Sequence, residues 1–229
     1  MTVSMGFFRK IEQWLIDEQS GEILFLPFQA DGNAYKSKVL LVGSQPEPLI
    51  QIGNADIQFL ADALVDRHLF QDVFQEEISE ASREYRGALN FASWMKENLK
   101  QQVVFSSLNC LNVEDELLKQ LKKSKDPLYL RGFEIFKEVI DELEPELLII
   151  QGAPTFKQFI ERFKEHLADY AEEDLLQSVQ VLEQKGSIGQ LKLNNGKKAQ
   201  ILVCRSMGAF GKTGKSFGEF KSILEGIFQ

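Results

Sequence analysis

Four short apolar runs in this chain end in small or polar side chains, and those ends carry most of the groups able to do chemistry. They are Gly43-Ser44-Gln45 after residues 39–42, Ser107-Leu108-Asn109 at the end of residues 103–107, Gln151-Gly152 after residues 147–150, and Arg205-Ser206 after residues 201–204. If the runs are parallel strands, their ends converge on one edge of a sheet and form a single cleft, where open α/β sheets bind ligands. Polar strand ends are also an ordinary consequence of strands reaching the surface. The first end is stiffened by its sequence, Gly43-Ser44-Gln45-Pro46-Glu47-Pro48. Two prolines fix φ, so Gln45 and Glu47 are presented with little freedom to lose. The same residues also suit a plain strand-to-loop turn.

The last run opens onto Arg205-Ser-Met-Gly-Ala-Phe-Gly-Lys-Thr-Gly-Lys-Ser216. A nucleotide-binding phosphate loop requires G-x-x-x-x-G-K-[ST]. Gly211-Lys212-Thr213 would need a glycine where Ser206 stands, and Gly214-Lys215-Ser216 one where Ala209 stands. No later strand follows to supply an aspartate on the magnesium side, which argues against an NTPase. Backbone amides, Lys212, Lys215 and the start of the terminal helix still suit a phosphate of another ligand. A solvated loop reads the same way. His68 and His166, the two histidines, both fall in helical segments away from the strand ends. Cys110 and Cys204 make no metal-ligand pattern and read as core fillers. No metal and no cofactor is expected.

The elements that must position these groups follow from periodicity. Helices are expected over residues 5–19, 55–70, 83–101, 113–125, 132–143, 155–170 and 217–228, the one over 83–101 placing Tyr85, Leu89, Ala92 and Met95 on an apolar face. Residues 22–28 look extended, residues 71–82 are acidic and hard to place, and residues 29–37 read as a loop. Residues 179–182 and 188–193 suit a hairpin with Gly186 in the turn. Strands alternating with helices predict a three-layer α/β/α fold around a four-stranded, mostly parallel sheet.

With 229 residues, 44% apolar and 26% charged, one domain over residues 1–229 is expected, since no Pro/Gly/Ser-rich linker divides the chain. A net charge of −8 argues against a general polyanion binder, although a local basic cleft remains compatible with it. With no signal peptide and no run long enough to span a bilayer, the expectation is a cytoplasmic protein in a reducing compartment, off the membrane. The oligomeric state is left open.

The order of elements resembles the uracil-DNA glycosylase superfamily. Gly43-Ser44-Gln45-Pro46-Glu47-Pro48 is similar to that family's first motif. Leu108-Asn109 falls where its base-reading asparagine stands, and Cys204-Arg205-Ser206-Met207 falls at its last motif. The resemblance covers residues 38 to the C-terminus by element order and short stretches by residue. It implies a pocket for a base flipped out of DNA and cleavage of its glycosidic bond. Carried over, Gly43, Ser44 and Asn109 bind the base, Gln45 or Glu47 positions water, Arg205 stabilises the leaving base, and Ser206, Lys212 and Lys215 meet phosphates. The chain departs from the family at two points. Gln45 replaces the aspartate or asparagine of the first motif, and glutamine orients water but cannot take its proton. Cys204 or Arg205 replaces the histidine of the last motif, where arginine would supply a cationic donor. Three readings stay open: a divergent DNA glycosylase, an inactive member that binds a nucleotide, nucleic acid or protein, and a nucleoside binder outside the family.

Overall fold

A computed structural model describes residues 4–19, 21–22, 24–50 and 56–228. Each apolar run expected to be a strand becomes one: β1 (Val39–Gly43), β2 (Val103–Ser107), β3 (Leu147–Gln151) and β6 (Lys198–Cys204). β2, β1, β3 and β6 lie side by side in that order and run parallel, with Leu41 beside both Phe105 and Ile149, and Ile150 beside Val203. β1, β2 and β3 are buried along their whole length, which is why they read as unbroken apolar runs rather than as an alternation.

Among the described residues the sheet has six strands, not the four expected, and it is mixed. β5 (Ser187–Lys192) pairs antiparallel with β6, and the two-residue β4 (Leu167–Ala168) pairs antiparallel with β5. β5 is the extended stretch expected at residues 188–193, and the remaining differences come from two local misreadings. The expected helix over 155–170 stops early, as α8 (Ala153–Phe163), and the chain then extends into β4. The expected strand at 179–182 is instead α9 (Val179–Lys185), which Gly186 ends with φ of 90°. The hairpin therefore joins β5 to β6 through residues 193–197, where Leu193 N–H and Lys197 C=O bond across the turn. Val179 and Val181 alternate as strand residues do, but the buried pair is Val179 and Leu182, three apart on one helix face, and Val181 is exposed.

Successive strand residues face opposite sides, so the sheet has two cores. Leu40, Val42, Val104, Leu148, Ile150, Ile201 and Val203 pack with α1 (Met5–Leu15), α2 (Ile57–Leu64), α7 (Pro127–Leu143), α8 and α9. Val39, Leu41, Val103, Phe105, Leu147, Ile149, Leu202 and Cys204 pack with α5 (Arg83–Trp94) and α10 (Gly218–Phe228). The segment at 55–70 divides into α2 and α3 (Arg67–Val73), because the Asp66 side chain accepts from the amides of His68 and Leu69 and starts a new helix. The acidic stretch carries α4 (Gln75–Glu80). α6 (Asp115–Ser124) follows β2, with Lys122 and Lys123 in its last turn. Asp126-Pro127 begins α7: Asp126 accepts from the Leu128 amide and Pro127 takes the first helical position.

Candidate functional site

β1 leaves the sheet at Gly43, and the loop through Pro48 turns across the carboxyl ends of β1 and β2. A pocket opens there. Its volume is about 470 Å³ counted out to the open mouth. Leu26 and Phe28 from the segment before β1, Leu41, Tyr85 and Ala88 from α5, and Phe105 from β2 make it apolar. Tyr85 and Phe105 meet edge to face, with ring centroids 6.3 Å apart.

The polar groups of this pocket come from separate parts of the chain. Tyr85 Oη donates to Gln29 Oε1 at 2.7 Å, and Gln29 Nε2 donates to the Glu47 carbonyl, also at 2.7 Å. Gln29 thereby ties the Gly43–Pro48 loop to α5. Its position is set by the bridge it forms with Phe105 of β2. Ser106 Oγ donates to the Pro27 carbonyl, and Gln151 Oε1 accepts from the Met207 amide at 3.1 Å. Glu47 Oε2 accepts from the Ser82 amide at 3.0 Å, where α5 begins. Glu84, in the first turn of α5, accepts from Ser206 Oγ. Burial pushes the Glu84 carboxyl above the ordinary glutamate value of 4.5; the Ser206 hydroxyl opposes that shift and the nearby Glu47 adds to it. Tyr85 is likewise held neutral by burial.

The residues singled out from the sequence divide into two groups. Gly43, Gln45 and Glu47 line the pocket, as do Ser107 and Gln151 from the neighbouring strand ends. Gln45 sits at the rim, where its Nε2 donates to Asp115 at 2.9 Å. Ser206 reaches the pocket only through Glu84. Ser44 and Asn109 are not in the lining. Ser44 accepts from the Asn109 amide through its carbonyl. Asn109 is 3% exposed, and its side chain is taken up by backbone: Nδ2 donates to the Tyr129 carbonyl and Oδ1 accepts from the Leu111 amide, each at 3.0 Å. It fills the space left by Gly132 on α7, where a Cβ would come within 1.9 Å of its Oδ1. The expected base reader is thus turned into the fold, because the backbone after β2 needs its amide.

Arg205 is engaged elsewhere as well. It holds the Glu183 carboxylate on α9 through Nε and Nη2, donates to the Ser216 carbonyl, and stacks over Phe217 with 4.9 Å to the ring centroid. It does not line the pocket. Lys212 and Lys215 are exposed on the loop after β6, which is pinned to α5 by the bond from Asn90 Nδ2 to the Gly211 carbonyl. The two cysteines are fully buried, and burial pushes both thiols up, Cys110 to about 12. Among the described residues there is no cluster of three or more His, Cys, Asp or Glu able to hold a metal, and no helix long and apolar enough to cross a membrane.

Sequence reasoning missed Gln29, Glu84 and Tyr85 as site residues. Glu84 had one local signal: Ser82 caps α5 by accepting from the Glu84 and Tyr85 amides, so the next residues stand at a helix start. Gln29 had none. Beyond Gln45 and Glu47 the pocket continues into an outer groove bordered by Pro48, Leu49, Glu76, Glu77, Glu80 and Asp115. The mouth is therefore strongly acidic. The chain matches no protein-family model and no curated protein.

Proposed function

We propose that the pocket at the carboxyl ends of β1, β2 and β3 binds a nucleobase, in the manner of the uracil-DNA glycosylase superfamily that the element order resembles. The observation that carries this reading is the combination of a pocket of about 470 Å³, aromatic walls from Phe28, Tyr85 and Phe105, and polar groups converging from three strand ends. The parallel order β2-β1-β3-β6 supports it by bringing the Gly43–Pro48 loop and the Gln151 end to one edge.

The reaction these residues suit is hydrolysis of an N-glycosidic bond. Glu47 is a carboxylate on the pocket wall and takes the role of general base toward water, a role Gln45 at the rim cannot fill. The acidic groove at the mouth repels a duplex backbone, so the base belongs to a nucleoside or to a flexible single strand. Such a strand would lay its phosphates toward Lys212 and Lys215. A second reading, recognition without cleavage, is favoured by one observation: Arg205 is bound to Glu183 and leaves a developing charge on the base without a cationic partner.

The test pairs titration of free bases with a base-release assay on labelled nucleosides and single-stranded oligonucleotides. The expected outcome is saturable binding, with release that is lost in Glu47→Gln while binding persists. Binding without release selects the second reading. Absence of binding to any base removes the pocket assignment.

A further inference from the structure

The pocket is unusual in its balance of charge. Glu47 and Glu84 line it, and no lysine, arginine or histidine does. Neither carboxylate forms an ion pair among the described residues. Both are half-buried, and burying a carboxylate without a counter-charge is costly unless donors surround it. Within the protein Glu84 receives one hydroxyl donor, from Ser206.

The remaining hydrogen-bonding capacity has the same bias. Among the described residues, Glu84 Oε1, Glu47 Oε1 and Gln45 Oε1 have no partner, since each of these side chains is bonded through its other oxygen or its nitrogen. Among the lining side chains of the described residues, the donors left over are Gln151 Nε2 and the Ser107 hydroxyl, because Gln151 bonds through Oε1 alone. Acceptors therefore predominate over donors, and the acceptors include two anions. A ligand that satisfies this site must bring N–H groups, and aromatic walls require that they lie in the plane of a ring. A uracil edge meets a carboxylate with alternating carbonyls and N–H. The edge of a cyclic amidine or guanidine meets it with two adjacent donors that match a carboxylate in fork geometry.

Resting on the nucleobase-pocket reading, we propose that the site selects planar heterocycles bearing two adjacent N–H donors, the edge of a 2-amino-4-oxopyrimidine, with Glu84 as the specificity-determining residue. Glu47 faces the same space but is anchored to the Ser82 amide and belongs to the loop. Glu84 stands on a helix whose first turns form the wall, and so has a fixed position from which to read an edge.

Isocytosine and uracil have nearly the same size and shape and differ in the group at one edge, so their comparison isolates the donor requirement. Titration calorimetry on the wild-type chain is expected to give isocytosine at least about tenfold tighter binding than uracil, a site built for a donor being left unpaired by a ligand that lacks it. Glu84→Gln, whose amide is nearly isosteric, is expected to bring the two ligands to within about threefold. Glu84→Asp, which keeps the charge and shortens the reach, is expected to retain the sign of the preference at reduced size. Equal binding of the two bases by the wild-type chain overturns the donor-edge assignment while leaving the nucleobase pocket standing. A preference that survives Glu84→Gln in a variant that still unfolds cooperatively overturns the role of Glu84. No binding of either base, or of cytosine or thymine, removes the pocket reading and this inference with it.

Discussion

Asn109→Ala separates two roles that one residue cannot hold at once. Its amide bonds the Tyr129 carbonyl and the Leu111 amide, both buried with it, so truncation leaves the Leu111 amide without this acceptor and the Tyr129 carbonyl with its helical bond alone. The expected cost is about 1–3 kcal/mol of stability in urea unfolding, with affinity for a free base unchanged. Lost affinity at full stability would return Asn109 to the site. Glu84 makes a prediction through pH. Burial foremost raises its carboxyl in the folded chain above 4.5, so the unfolded chain releases this proton first as pH rises. The folded chain then binds more protons than the unfolded one, and stability falls with pH from about 4.5 up to the raised value. Glu84→Gln lacks that decline. Thermal unfolding at about pH 4 and about pH 7 should show the variant gaining on the wild type at the higher pH, and parallel curves would place Glu84 in an environment as wet as the unfolded chain.

The elements act through the contacts that fix their angles. α5 carries three pocket residues, and Gly87 lets it approach the chain after β6: a Cβ there would come within 1.8 Å of the Met207 carbonyl oxygen. The Ser206–Glu84 and Met207–Gln151 bonds close the same junction. Arg205 does the matching work on α9, where Glu183 is 6% exposed and takes its counter-charge from the guanidinium. Arg205→Ala is therefore expected to destabilise the chain by about 1–3 kcal/mol, because a buried carboxylate loses its donors. Base release, normalised to folded protein, should change little. A large loss of turnover in fully folded Arg205→Ala would show that Arg205 swings to the substrate, and that would restore the role expected from the family resemblance.

Across the whole molecule, charge decides which ligands can approach. The chain carries a net charge of −8 and gathers Glu76, Glu77, Glu80 and Asp115 beside the pocket mouth, while Lys212 and Lys215 stand on the loop after β6. Replacing both lysines with alanine should flatten the salt dependence of single-strand binding by about 1.4 in the slope of log K against log salt, two contacts at roughly 0.7 each. Affinity for an uncharged free base should stay as it was. An unchanged slope would leave that loop without phosphate contacts.

The four central strands and the rigid loop after β1 were legible in the sequence, because burial on both faces leaves an unbroken apolar run and the prolines mark where it ends. The added strand β5 was legible too, as the extended stretch over residues 188–193; β4 and α9 were not, since Leu167–Ala168 is two residues long and Val179 and Val181 alternate as strand residues do. Residue types at the strand ends located the cleft, and Gly43, Gln45 and Glu47 do line it. Which other polar side chains face that cleft was decided by tertiary structure alone. Asn109 is claimed by Tyr129, 20 residues away, Arg205 by Glu183, 22 residues away, and Glu84 is brought to the pocket by a bond to Ser206 across 122 residues. Periodicity is a local signal that assigns faces to a helix or strand. The direction of a polar side chain depends on which distant partner satisfies it when water is removed, and that partner exists only once the chain has folded.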